Sequence, residues 1–469
     1  MDLGDEQQRA EWKARLGSMF RDRKVLTGML PLAAMTPWVA MLREAGARRP
    51  LVLATGTGAG PVPTEEEAEV HFLETDHHRS MTEELRAVDH LARHLPEPAA
   101  AAVAAYDPDR TGWWLAGPFV AAEPIDGRPV VGGRPAAWLA LEDKLLAEGI
   151  WSEVGALHAE ARVRPVDAAV LRDASADVDE GAGVVWAGDA RDGFNGGGDF
   201  TRWVLTDEDR AAALAFFASR CDRVRVMPFL DGVPCSIHGI VLPDGTAAFR
   251  PVELAILRGP DRQFVYGGQG TTWDPPEADR EAMRELVRRT GEHLRARVGY
   301  RGAFGIDGVL TAGGFRPTEL NSRAAGGLNT LATGLDGDGF TLLQIVCVAD
   351  RDPGVTVAEL EGWAVPAMDA HRVAKAIGMS RRRVVEQSVD LPVVWDGTTL
   401  RRADAEQATA TVQVGPSAVG AFCRLMGDVL SPGERLGPLN AALFGFLDDE
   451  LGTGFGHVEV APDLRTATP

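Results

Sequence analysis

The chain has 469 residues, 45% of them hydrophobic, and a formal net charge of -20. That length exceeds one ordinary hydrophobic core and predicts about two to four domains. The acidity argues against nucleic acid or an anionic membrane as partner, since either requires basic clusters, and the excess acid reads as a solubility feature.

The opening segment MDLGDEQQRAEWKARLG is charged where a signal peptide is apolar, and no run of about 18 apolar residues follows, so a cytoplasmic location is expected. A charged amphipathic helix spans about residues 5 to 20. Short apolar runs then recur with helical patterns between them: LVLATG, VHFLET, AAVAAYDP and WWLAGPFVA. This alternation predicts a small open α/β sheet over residues 1 to 138, with the alanine run Ala99–Ala105 as helix and IDGRPVVGGRP closing the unit. In VHFLETDHHRS, His71, His77 and His78 with Asp76 suggest a metal site, but adjacent strand histidines alternate faces, so a polar loop or dimer contact is preferred.

From Ala136 the pattern turns to α+β: a helix carrying LEDKLLAEG, a strand, a glycine-rich loop, a second strand, a helix and long strands ending near Asn321. A helical segment at about 338–350 and the linker ADRDPGVT follow, then a third unit of valine-rich strands and glycine turns. The domains expected are 1–138, 139–352 with lobes 139–226 and 227–352, and a small α+β unit at 353–469. Cys221, Cys235, Cys347 and Cys423 have no metal-binding spacing and are expected to be reduced core thiols. Lysine occurs only at Lys13, Lys24, Lys144 and Lys375, a codon-bias signature.

The segment GYRGAFGIDGVLTAGGFRPTELNSRAAGG, residues 299–327, predicts two antiparallel strands joined by a turn at Ala312-Gly313-Gly314. Glu319 and Asn321 are two apart and share a face, and Asp307 stands at the matching level of the partner strand. Two carboxylates and an amide oxygen make a hard oxygen site suited to Mg²⁺ shared with phosphate oxygens. Arg323, two residues on, adds a planar cation.

This Asp...Glu-x-Asn-x-Arg hairpin resembles the metal site of the ATP-grasp superfamily, which includes D-alanine–D-alanine ligase, glutathione synthetase and biotin carboxylase. The resemblance implies that Asp307, Glu319 and Asn321 hold two Mg²⁺ ions, with Mn²⁺ able to substitute, and that Arg323 steadies the γ-phosphate and an acyl phosphate. It also implies that Lys144, placed on an opening helix by LEDKLLAEG, reaches the nucleotide phosphates. Gly193, Gly196, Gly197 and Gly198 form a loop whose N–H groups close over phosphate oxygens. The lysine usual at the end of the preceding strand is missing from VVWAGD, with Arg191 or Arg202 as replacements.

In RVRVMPFLDGVPCSIHG, similar to the family's inter-lobe linker, the Pro228 carbonyl and Leu230 N–H are expected to read adenine, with Met227 and Phe229 beside them. Pro234 stands where a ribose glutamate is usual, and Asp231 is the nearest substitute. Glu253, Arg258 and YGGQGTTW are candidates for the substrate side, and His238 reads as a core histidine.

The strings WAGDARDGFNGGG, GYRGAFGIDGVL, RPTELNSR, VQVGPSAVG and GPLNAALFGFLDDE resemble actinobacterial peptide ligases of the pheganomycin type. That resemblance implies an ADP-forming peptide ligase of antibiotic biosynthesis, in which a nonproteinogenic amino acid gives the carboxylate and a peptide the amine. A homodimer, a ligase joining free amino acids and a non-catalytic nucleotide-binding protein remain alternatives. A biotin-dependent carboxylase is disfavoured because no Met-Lys-Met biotinylation context occurs.

Overall fold

A computed structural model of the chain describes residues 1–74, 80–193, 195–196, 198–260 and 262–465. Its first portion is a wholly parallel five-stranded sheet ordered Glu69–Phe72, Leu51–Ala54, Val25–Leu30, Trp113–Leu115 and Val130–Val131. The strand LVLA is buried on both faces, as a parallel sheet covered by helices requires. The alanine run lies in the helix Glu97–Tyr106, where Ala99 and Val103 pack with Val88 and Ala92 of the helix Met81–Arg93. IDGRPVVGGRP does more than close this unit, since its two valines add the fifth strand.

A four-stranded antiparallel sheet follows, ordered Arg162–Pro165, Arg223–Pro228, Val184–Gly188 and Thr201–Val204. Helices Ala168–Val178 and Asp207–Ala218 bury its outer face, and a Thr206–Asp209 capping box starts the second of them. Strand alternation sends Val224 and Val226 into that core, so Arg225 and Met227 face the opposite way, toward a cleft.

The far wall of the cleft is an eleven-stranded antiparallel sheet. It runs Gly314–Asn321, Gly302–Thr311, Val233–Leu242, Val252–Arg258, Phe264–Gly270, with Gly245–Ala248 paired to the side of Val233–Leu242. The 22-residue helix Glu277–Val298 packs beneath it. The approach is close at Gly239, where a Cβ would stand 2.4 Å from a Val287 methyl. The valine-rich strands expected in the third unit extend this same sheet: Ala374–Ser380 pairs with Phe264–Gly270, and Ala421–Met426, Ala410–Pro416, Val389–Trp395 and Leu400–Arg402 continue outward. The helix Val357–Ala370 joins a different core, packing Leu360, Ala364 and Met368 with Trp12 and Phe340. All four cysteines are buried and free, and among the described residues no helix is long and apolar enough to cross a membrane.

Candidate active site

The hairpin Gly302–Thr311 and Gly314–Asn321 closes through Ala312-Gly313, with Thr311 opposite Gly314. Asp307 pairs with Glu319, but Gly308 pairs with Pro317, so Thr318 is an extra bulged residue. Beyond the bulge, Glu319 and Asn321 share a face with Asp307, and the Asn321 amide nitrogen donates to the Asp307 carboxylate at 2.9 Å. That leaves the amide oxygen as the atom Asn321 offers a cation. Burial, and next the neighbouring Glu319 charge, push Asp307 up to about 6. Two facing carboxylates and an amide oxygen, with one acid resisting ionisation because it is buried beside another carboxylate, fit a hard divalent cation such as Mg²⁺.

Lys144 meets this group by forming an ion pair with Glu319. It is not on an α-helix: Asp143 accepts from the Leu145 N–H at 3.0 Å and starts the 3₁₀ turn Lys144–Leu146, while the α-helix begins at Ala147. The aspartate cap competes with continuous α-helix and turns the lysine toward the hairpin. Arg323 lies just past its strand. Its guanidinium pairs with the buried Glu142 at 2.6 Å and lies 5.2 Å from the Phe119 ring centroid. Glu142 also binds Arg134 at 2.5 Å, and Arg134 donates to the Ser322 carbonyl at 2.9 Å. The two arginines hold Glu142 below the usual carboxylate range in spite of its burial.

These residues line a cleft of about 430 Å³, together with Gly196, Gly198, Met227, Phe229 and Leu230. Gly197 lies outside the described residues, as do Asp76, His77 and His78; His71 is half-buried on an edge strand. The glycine loop is held from the first unit, where the Thr82 hydroxyl donates to the Gly196 carbonyl at 2.9 Å and Arg86 bonds the Asn195 amide oxygen.

Several expectations need correction. Pro228 and Asp231 are not among the lining residues; Pro228 ends a strand opposite Val184, and Asp231 is paired with Arg258. Arg191 is engaged by Asp192 and Asp222, and the Arg202 guanidinium sits 3.9 Å from the Phe216 ring centroid, so neither lines the cleft. Glu253 is turned away from the substrate side: it is buried, binds Arg435 at 2.7 Å and accepts from the Leu436 and Gly437 N–H groups at the start of the helix Leu436–Leu451. An acid at a helix N-terminus satisfies orphan donors. Arg258, Tyr266 and Gln269 do line the cleft.

Sequence reasoning missed Arg225, which lies opposite Ala187 and donates to the Lys144 and Thr318 carbonyls at 3.0 and 2.8 Å, tying the lysine turn to the hairpin. Its alternation with Val224 and Val226 was the available signal. Leu85 and Phe119, contributed by the first unit, were also missed. His238 is buried with Nε2 3.0 Å from the Ser236 hydroxyl, and burial lowers it to about 3; it lines the cleft and its Nδ1 has no hydrogen-bond partner among the described residues, so it is not the satisfied core histidine expected.

No protein-family model and no curated protein matches the chain. Solved structures do. A phosphoribosylamine–glycine ligase from Thermotoga maritima aligns with a TM-score of 0.53 at 14% identity, covering 91% of this chain and 96% of that one. A carboxyaminoimidazole ribonucleotide synthase from Aspergillus clavatus complexed with ATP gives 0.50 at 12%, covering 94% and 100%. An L-amino acid ligase from Bacillus licheniformis gives 0.50 at 14%, again covering 94% and 100%. At such identities the shared property is the fold, and this chain has the mixed α/β, multidomain fold of these structures.

Proposed function

We propose that this chain is an ADP-forming ligase that activates a carboxylate with Mg-ATP and joins it to an amine, the carboxylate coming from an amino acid and the amine from a peptide. The observation that carries this reading is the convergence of Asp307, Glu319 and Asn321 with Lys144 and Arg323 at one end of a cleft whose other end is apolar and glycine-edged. In this reading residues 139–352 form the two-lobed catalytic unit, flanked by 1–138 and 353–469.

Bound magnesium would screen the phosphate charge and polarise the transferring phosphoryl group. Asp307, Glu319 and Asn321 supply oxygen donors for it. Lys144, paired here with Glu319, would offer its ammonium to phosphate oxygens beside the residues that would hold the metal. Arg323, fixed by Glu142, supplies positive charge that needs no reorganisation during reaction. A substrate carboxylate oxygen attacks the γ-phosphorus and ADP leaves; the amine nitrogen then attacks the acyl carbon, sheds a proton, and inorganic phosphate departs. Leu85 and Phe119 wall the site against water.

A second reading, a ligase joining two free amino acids, is favoured by the full-length structural likeness to the L-amino acid ligase. Mg-dependent ADP release, measured with amino acids as donors and with peptides or amino acids as acceptors, separates the two. ADP formed only with both partners, and lost in Glu319→Ala, supports ligation, whereas AMP as product overturns it.

A further inference from the structure

Among the chain's four lysines, Lys13 pairs with Glu44, Lys24 with Asp107 and Lys144 with Glu319. Lys375, on the strand Ala374–Ser380, forms no salt bridge to a carboxylate among the described residues; its ammonium donates to the Asn329 carbonyl at 3.3 Å. This is unusual in a chain with 68 acidic and 48 basic residues. Lys375 is half-buried, and burial pushes it down to about 8. The ammonium's bond to Asn329 is open to solvent, so an anion can reach it.

Its position says where that anion comes from. Lys375 lies directly opposite Gln269 in the antiparallel ladder, so both side chains stand on one face of the sheet. Gln269 lines the cleft, and its amide nitrogen lies so near Gly326 that a Cβ there would meet it at 2.3 Å. Gly326 also lines the cleft and opens the short helix Gly326–Leu331, which carries Asn329. Lys375 is not itself a lining residue of the cleft; it is the cross-strand neighbour of one, on the third unit's side. Arg323 and Lys144 already serve the reacting carboxylate and the phosphates, so a carboxylate at Lys375 is a different one.

Building on the ligase reading, we infer that Lys375 and Gln269 form a carboxylate subsite for the amine-bearing substrate, which is therefore an amino acid or peptide with a free carboxylate rather than a simple amine. The ammonium and the amide NH₂ supply the donors that a carboxylate accepts.

Trace labelling of the full chain with acetic anhydride, read by mass spectrometry at each lysine, tests this by a readout other than ADP release. The probes are the L-amino acids and L-alanyl-L-alanine, each compared with its carboxyl-terminal amide in the presence of Mg-ATP. At least one free acid is expected to reduce Lys375 labelling about fivefold or more, its amide is expected to have little effect, and Lys13 and Lys24 are expected to stay constant. Protection by no acid in the set, or equal protection by the amides, overturns the subsite. In ADP-release assays Lys375→Met is expected to raise the KM for the amine substrate about tenfold or more with the KM for ATP held within about twofold, and Lys375→Arg to recover most of the loss. An unchanged amine KM in Lys375→Met also overturns it. Protection of Lys375 without any ADP release would sink the ligase reading alone.

Discussion

The acidic hairpin and the glycine loop face one another across the same cleft, yet they are held by different means. Behind the hairpin stand buried charges and ladder bonds: Glu142 between two arginines, and nine paired positions between Val233–Leu242 and Gly302–Thr311. The loop has one anchor of its own, the Asn195 amide donating to the Asp189 carbonyl at 2.6 Å, and is otherwise tied by the side chains of Thr82 and Arg86 from another unit. The contrast teaches that one wall is set when the sheet forms, whereas the other depends on docking of the first unit.

Variants that break one wall should therefore leave different signatures from those that break the other. Glu142→Ala leaves two buried guanidinium groups without their carboxylate and is expected to cost about 3–5 kcal/mol in chemical unfolding. Glu319→Ala should lower the rate of ADP release about a hundredfold or more while the protein stays folded by circular dichroism. An acid-unfolding series probes the same wall through His238. Burial, and next the charge of Arg323, keep its folded-state imidazole neutral down to about 3, whereas the ordinary value is 6.5. The unfolded chain then binds more protons between those values, so stability falls as pH drops through that window. His238→Gln should flatten that fall, and an unchanged slope would show that another group dominates. The smallest effect is expected for the loop: Thr82→Ala removes hydrogen bonds worth about 1 kcal/mol, raising the KM for ATP severalfold with little change in unfolding. A large loss of stability in Thr82→Ala would erase the proposed contrast.

Legibility in the sequence followed the same divide. Asp307, Glu319 and Asn321 were readable because strand periodicity fixes side-chain direction two residues at a time, and even the bulge at Thr318 kept Glu319 and Asn321 together. The parallel first sheet was readable from short apolar runs separated by helical patterns. Glu253 and Asp231 misled because an acid in an apolar strand or turn looks the same whether its partner is a ligand or a distant arginine. Their partners, Arg435 and Arg258, lie 182 and 27 residues away. Arg225 was passed over because its carbonyl partners belong to segments whose approach no local pattern encodes. Lys144 was placed on the wrong element because a single capping aspartate decides between an α-helix and a 3₁₀ turn.

The uninterrupted run of the large sheet from the acidic hairpin to Leu400–Arg402 bears on how the protein can be cut. Phe264–Gly270 is an inner strand only because Ala374–Ser380 covers its far side. Truncation after residue 352 would bare a row of unpaired N–H and C=O groups, a template for intermolecular pairing. A fragment shortened there should therefore self-associate, and crystallisation or engineering efforts would do better to trim surface loops than to remove the last unit.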